Sequence, residues 1–189
     1  VRAGDLGAGG DPAGGVLIGD RGPGLVPRYV VLDCITHVGP PHEVHALIAA
    51  TAAADGPDVI VRLPQDPGQA GKDQALTYAR ELTGYTVRTK PVTGDKVVRA
   101  GPFSSQVGAR NVAILRAPWT PGYVAQLHAF PDPPRDDRVD ASSDAFSELA
   151  SHSDATSARP ASRRPVPPWG FCPPLPMPSA TTRRATSAP

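Results

Sequence analysis

Along the first 150 residues, apolar positions come in short blocks that glycine and proline separate. Gly14–Gly19 (GGVLIG) and Arg28–Ile35 (RYVVLDCI) are apolar or β-branched runs on either side of the turn-rich stretch DRGPGLVP. Together they predict an antiparallel hairpin. Val1–Leu6 predicts a short strand ahead of it. Pro40-Pro41 opens HEVHALIAATAAAD, where Val44, Leu47, Ile48 and Thr51 fall at helical spacing before Gly56-Pro57 stops the run. The pattern then alternates: strand Val59–Leu63, helix Ala70–Leu82, strand Tyr85–Thr89, helix Asp95–Val107 and strand Asn111–Leu115. Two helices follow, Pro121–Phe130 and Asp136–Leu149. A hairpin followed by alternating helices and strands predicts an α/β fold, a mixed sheet with helices on its faces.

Composition changes the picture after residue 150. Pro, Ser, Thr and Arg supply 24 of the 39 residues in 151–189, with five Arg against one acid, Asp154. Proline removes backbone donors, and so few apolar side chains cannot offset the entropy of ordering. The expectation is a 1–150 domain and a disordered 151–189 tail. The domain alone carries 14 basic and 17 acidic residues, a formal charge of −3, which argues against a general polyanion binder. Any contact with DNA needs a local basic groove or metal ions held by its acids. No apolar run approaches the roughly 18 residues that span a bilayer. Cys34 and Cys172 are too few for a disulfide framework or a four-thiolate zinc site. The start on Val1, with no charged-then-apolar leader, reads as a fragment or an unusual start codon.

Three acidic sites fall at element ends. Asp5 ends the first strand, Asp66 lies just after VIVRL, beyond Pro64 and Gln65, and Asp136, Asp137 and Asp140 open the last helix. Carboxylates gathered at one sheet edge repel unless a divalent cation neutralises them, and hard oxygen ligands suit Mg²⁺ or Mn²⁺. Aspartate is also the ordinary residue of turns and helix caps, so each taken alone has a purely structural reading. The spacing of the last cluster adds weight. Asp136 and Asp137 lie four and three residues before Asp140, on one helix face, where like charges cost a few tenths of a kcal/mol.

The segment Gly68-Gln69-Ala70-Gly71-Lys72-Asp73 has glycines and a lysine before a helix, but the spacing and the Asp in place of Ser or Thr exclude a nucleotide-binding loop. Lys72, and Lys96 with Arg99 three residues on, are candidates for DNA phosphates or plain surface charge. His37, His42 and His45 complete no metal motif. Cys34 reads as a small apolar filler, and no serine has a nucleophile-elbow context.

Taken in order, DPGQAGKDQ, TGDKVVRAGPFSSQVGARNVAIL, APW and AFPDPPRDDRVDASSDAF resemble the C-terminal nuclease domain of tailed-bacteriophage terminase large subunits. The match extends back through RYVVLD to RAGDLGAGGDPAGG and covers roughly residues 1–149. The first motif reads Gly4-Asp5-Leu6-Gly7, where the family usually has Trp-Asp-hydrophobic-Ala. The resemblance implies a ribonuclease H-like fold and a two-metal endonuclease, with Mg²⁺ or Mn²⁺, that cuts concatemeric double-stranded DNA in the cytoplasm of a bacterial host. It implies catalytic roles for Asp5, Asp66 and Asp137, metal binding by these and Asp136, and a supporting place for Asp140. It places Lys72, Lys96 and Arg99 along the DNA. It also implies the terminase small subunit, the portal protein and a separate ATPase domain as partners, since no Walker A motif precedes the match. Two other readings stay beside it. One is a resolvase- or transposase-like nuclease on the same fold. The other is an inactive prophage remnant that folds and binds DNA or portal protein without cutting.

Overall fold

The predicted hairpin lies inside a six-stranded mixed sheet of strand order β5-β4-β1-β2-β3-β6. The computed structural model describes residues 1–6, 12–66, 68–91, 93–131 and 136–157, without the side chains of Asp5 and 153–157. The strands are β1 Arg2–Asp5, β2 Ala13–Asp20, β3 Tyr29–His37, β4 Ile60–Gln65, β5 Thr86–Pro91 and β6 Val112–Ile114. The helices are α1 Pro41–Asp55, α2 Gln69–Glu81, α3 Lys96–Gly108, α4 Thr120–Ala129 and α5 Asp137–Ser157. Only β2 runs antiparallel to its neighbours; β1 pairs in parallel with β4, β4 with β5, and β3 with β6.

Handedness decides which face each helix covers. The connections β3-α1-β4 and β4-α2-β5 both travel toward the β5 edge, whereas β5-α3-β6 crosses back to the opposite edge. Right-handed crossovers in opposite directions put their helices on opposite faces. So α1 and α2 cover one face, where Ala52, Val61, Leu63, Tyr78 and Leu82 pack together. The other face is covered by α3, α4 and α5, over a core that includes Val16, Ile18, Val31, Phe103, Tyr123 and Phe146.

Element ends differ from the sequence pattern by a few residues, each for a local reason. β4 and β5 run on through Pro64 and Pro91, because their ladder continues to the pair Gln65 and Pro91. α3 passes through Pro102 unbroken. Proline there frees the carbonyl of Val98, a residue 73% exposed, so that water can take the missing donor's place. The last helix reaches Ser157, so residues 151–157 are helical. The first proline of the Pro-rich segment is Pro160, and nothing before it removes a helical donor. Residues 158–189, the rest of the expected tail, lie outside the described residues.

Two buried ion networks tie the sheet to its helices. Arg2 on β1 binds Asp55 at the end of α1, and Asp33 on β3 at 2.9 Å. Arg62 on β4 meets Glu148 of α5 at 2.5 Å, and Arg88 on β5 meets the same carboxylate at 3.0 Å. Cys34 is the buried thiol of β3, and burial pushes its pKa up to about 11. At pH 8 about one such thiol in a thousand is ionised. In a Cys172→Ser variant, native protein is therefore expected to resist a thiol reagent until denaturant is added. Stoichiometric labelling in native buffer would refute this burial. The sign of the linkage is also fixed. The unfolded thiol ionises first, so stability is lost as pH rises from about 9.0 toward about 11.

Candidate active site

In open α/β sheets, sites form at the carboxyl ends of strands where successive connections leave in opposite directions. That point lies here between β1 and β4: the chain leaves β1 toward β2 and leaves β4 toward β5. Asp5 is the last residue of β1, and Asp66 is the first residue after β4, its neighbour. The sheet therefore brings two of the expected acids to adjacent strand ends. Asp66 is exposed, while the side chain of Asp5 lies outside the described residues.

The third acid arrives through a glycine. Asp5 pairs with Gly14 of β2, and a Cβ placed on Gly14 would stand 3.2 Å from the Cβ of Asp137. The first turn of α5 thus rests closely on the β2 residue beside Asp5, and glycine there lets it sit without strain. Gly14→Ala is expected to push that turn away by a few tenths of an ångström. The expected cost is about 1–3 kcal/mol of stability from overpacking. A loss of cleavage of about tenfold is expected with it from misplacement of the reacting groups. Urea unfolding and plasmid nicking read the two effects, and wild-type values in both would contradict this packing.

Asp66 is held from below in the same way. A Cβ on Gly71 would lie 2.0 Å from the backbone oxygen of Asp66, so the first turn of α2 packs on the main chain of that aspartate. Gly68, at φ +101°, makes the turn into the helix.

The three acids at the start of α5 are not equivalent. Asp136 precedes the helix; its carbonyl accepts from Val139 N at 2.8 Å and Asp140 N at 3.0 Å. Its carboxylate is bound by Lys96 Nζ. Asp140 is paired with Arg99 at 2.8 Å and lies 3.6 Å from Lys96. Burial pushes the Asp140 pKa up, and Arg99 and Lys96 oppose that shift. The hydrogen bond to Asp136 is the main cause that raises the pKa of Lys96. Asp137, between them in sequence, is only 8% exposed and has no ion pair or side-chain hydrogen bond to any described residue. Its carboxylate is not among the buried side-chain atoms that lack a partner, so its oxygens stay open to a ligand at the positive end of α5.

Two of the expected DNA-binding residues, Lys96 and Arg99, are thus engaged in ion pairs that join α3 to α5. Lys72 is exposed near the start of α2. Sequence reasoning missed Lys90, which sits on β5 opposite Pro64, two residues before Asp66. It also missed Arg138, whose guanidinium donates to Thr36 Oγ1 on β3. The histidines serve the surface of α1: His37 meets Glu43 at 3.0 Å, and His45 lies 3.3 Å from Glu81 and against Tyr78.

Among the described residues, no three His, Cys, Asp or Glu side chains gather closely enough to hold a metal ion. The Asp5 side chain is not among them. The chemistry of the edge nevertheless fits a hard cation: its acids offer carboxylate oxygens, and Asp137 has no ion pair to a described residue. No helix of the described residues is long and apolar enough to cross a membrane.

Comparison with known proteins bears on the same region. Residues 2–149 match the family model described as the terminase RNaseH-like domain. No curated protein matches the chain, and no solved structure does.

Proposed function

The chain belongs to the terminase RNaseH-like domain family, a terminase nuclease domain, and on that premise we propose that it is a divalent-metal-dependent endonuclease that cuts concatemeric double-stranded phage DNA. The single observation that carries the reading is Asp137, a largely buried residue with no ion pair to any described residue, while Asp136 and Asp140 are paired with Lys96 and Arg99. Asp5, Asp66 and Asp137 would hold Mg²⁺ or Mn²⁺. A pair of such ions supplies an activated water and a counter-charge for the departing 3′ oxygen. The chain's own part is to fix the acids: Gly14 admits Asp137 beside the end of β1, and Gly71 supports the backbone of Asp66. Lys96 and Arg99 hold Asp136 and Asp140, and so set the first turn of α5. Lys72 and Lys90, which have no ion pair to a described residue, are then the cations beside Asp66 that can meet DNA phosphates.

In the phage setting the domain works with a separate ATPase domain, the terminase small subunit and the portal, in the host cytoplasm. Incubation of the purified chain with supercoiled plasmid tests the reading. Nicked and then linear product is expected with Mn²⁺, and none with EDTA. A folded chain that binds plasmid but never nicks it would favour the non-cutting remnant. Cutting confined to branched junctions would favour a resolvase-like enzyme.

A further inference from the structure

Arg138 follows Asp137 in the first turn of α5 and makes no ion pair with a described acid. Its Nε and Nη2 both donate to Thr36 Oγ1, at 3.2 and 3.0 Å. Thr36 pairs with Gly14, which pairs on its other side with Asp5. The guanidinium therefore lies in the same cross-strand row as the candidate site, one strand beyond the residue on which Asp137 rests. On its far side it occupies a slot that a glycine leaves open: a Cβ on Gly122 of α4 would stand 2.9 Å from Nη1. No carboxylate of a described side chain lies within ion-pairing distance. The two bonds to Thr36 use two of its five N–H groups, and the other three have no described hydrogen-bond partner.

A guanidinium oriented by a hydroxyl and a glycine slot, with no ion pair to a described side chain, differs from the α3 cations that face the start of α5. Lys96 and Arg99 spend their charge on Asp136 and Asp140. Arg138 holds its charge and donors without a described partner in a planar fork, the geometry that binds a phosphate through two parallel bonds. Its side chain is already ordered, so little rotamer entropy remains to be lost on binding. We propose that Arg138 is a preset contact for a backbone phosphate of bound DNA, with Thr36 as its positioning residue. This rests on the nuclease reading only in taking DNA as the ligand.

Duplex DNA binding by the full chain, measured by fluorescence anisotropy in EDTA over a range of salt, tests the proposal without cleavage. Arg138→Ala is expected to weaken binding roughly fivefold to tenfold and to lower the salt slope by about one. Arg138→Lys is expected to keep the slope and lose part of the affinity. Thr36→Val, which removes the hydroxyl, is expected to weaken binding with the charge still present. Gly122→Ala displaces the guanidinium with Arg138 itself intact. Alanine favours a helix over glycine, so this variant is expected to bind less tightly while its melting temperature holds or rises. A merely structural arginine would not produce that combination.

Wild-type affinity and slope in Arg138→Ala would overturn the proposal. So would normal binding by Gly122→Ala together with an Arg138→Ala defect that only follows a lower melting temperature. If Arg138→Ala does not fold, Arg138→Lys and Gly122→Ala decide. A chain that binds through Arg138 yet never nicks plasmid in Mn²⁺ would sink the nuclease reading and leave this contact standing; a chain that nicks but binds without regard to Arg138 would do the reverse.

Discussion

Asp137→Asn is expected to lower Mn²⁺-dependent plasmid nicking by at least about 10²-fold, the scale seen when a group that stabilises transition-state charge is removed. The fold is expected to tolerate the change. Asp137 has no ion pair to a described residue, so no partner is orphaned. Asparagine gives up a helix-dipole interaction of about 0.3–1 kcal/mol, so unfolding in EDTA should shift by no more than about 1 kcal/mol. Added Mn²⁺ should stabilise the wild type, because a ligand that binds only the folded state stabilises it, and should leave Asp137→Asn unmoved. Asp136→Asn removes the ion pair with Lys96 instead, leaving at most a neutral hydrogen bond, and a loss of about tenfold is expected from a less firmly set helix turn. Equal losses in the two variants, or a larger one in Asp136→Asn, would reverse the assignment of the metal ligand.

Glu148→Ala is expected to be the most destabilising simple change, at about 3–5 kcal/mol, because it strands a buried charge. The Arg62 and Glu148 side chains are each 7% exposed, and Arg62 has nowhere to move. Its Nε already lacks a partner. Arg88 is half exposed and can turn to water, so Arg88→Ala should cost no more than about 1 kcal/mol. The double change Arg62→Met with Glu148→Met should recover most of the loss, since an apolar pair needs no compensation. Urea midpoints at constant slope measure all three. A Glu148→Ala midpoint near the wild type would mean that the pair is open to solvent.

The order and type of the elements were legible because each block has its own punctuation. Pro40-Pro41 and Gly56 bracket α1, and the hairpin is divided by DRGPGLVP. Strand ends differ where a proline lies close by: Pro64 and Pro91 continue a ladder beyond the expected ends, whereas the helix expected across Pro102 does run through it, below an exposed carbonyl. The alternating pattern also left the sheet order open. That order depends on which strands pair across the chain, and the reversal after β5 is what sends α3 to the face opposite α2.

The candidate site was legible as residue types and far less as pairings. Asp5, Asp66 and the acids of α5 stand out because they fall at element ends. Which acid is already neutralised depends on Lys96 and Arg99, about 40 residues earlier in the chain, and local spacing has no access to such a contact. Gly14 reads as a strand-end glycine; its purpose emerges only when Asp137 is laid over it. Arg138 looks like one more charge in a charged helix turn until Thr36 and Gly122 are placed around it.

The acids at the ends of β1 and β4 and at the start of α5 are expected to share one cation site. Anomalous diffraction from crystals of the chain soaked in Mn²⁺ measures this directly. The expected result is manganese density within coordination distance of Asp5, Asp66 and Asp137 carboxylates, absent from Asp137→Asn crystals. Saturating Mn²⁺ with no density there, or density at Asp136 and Asp140 in place of Lys96 and Arg99, would contradict it.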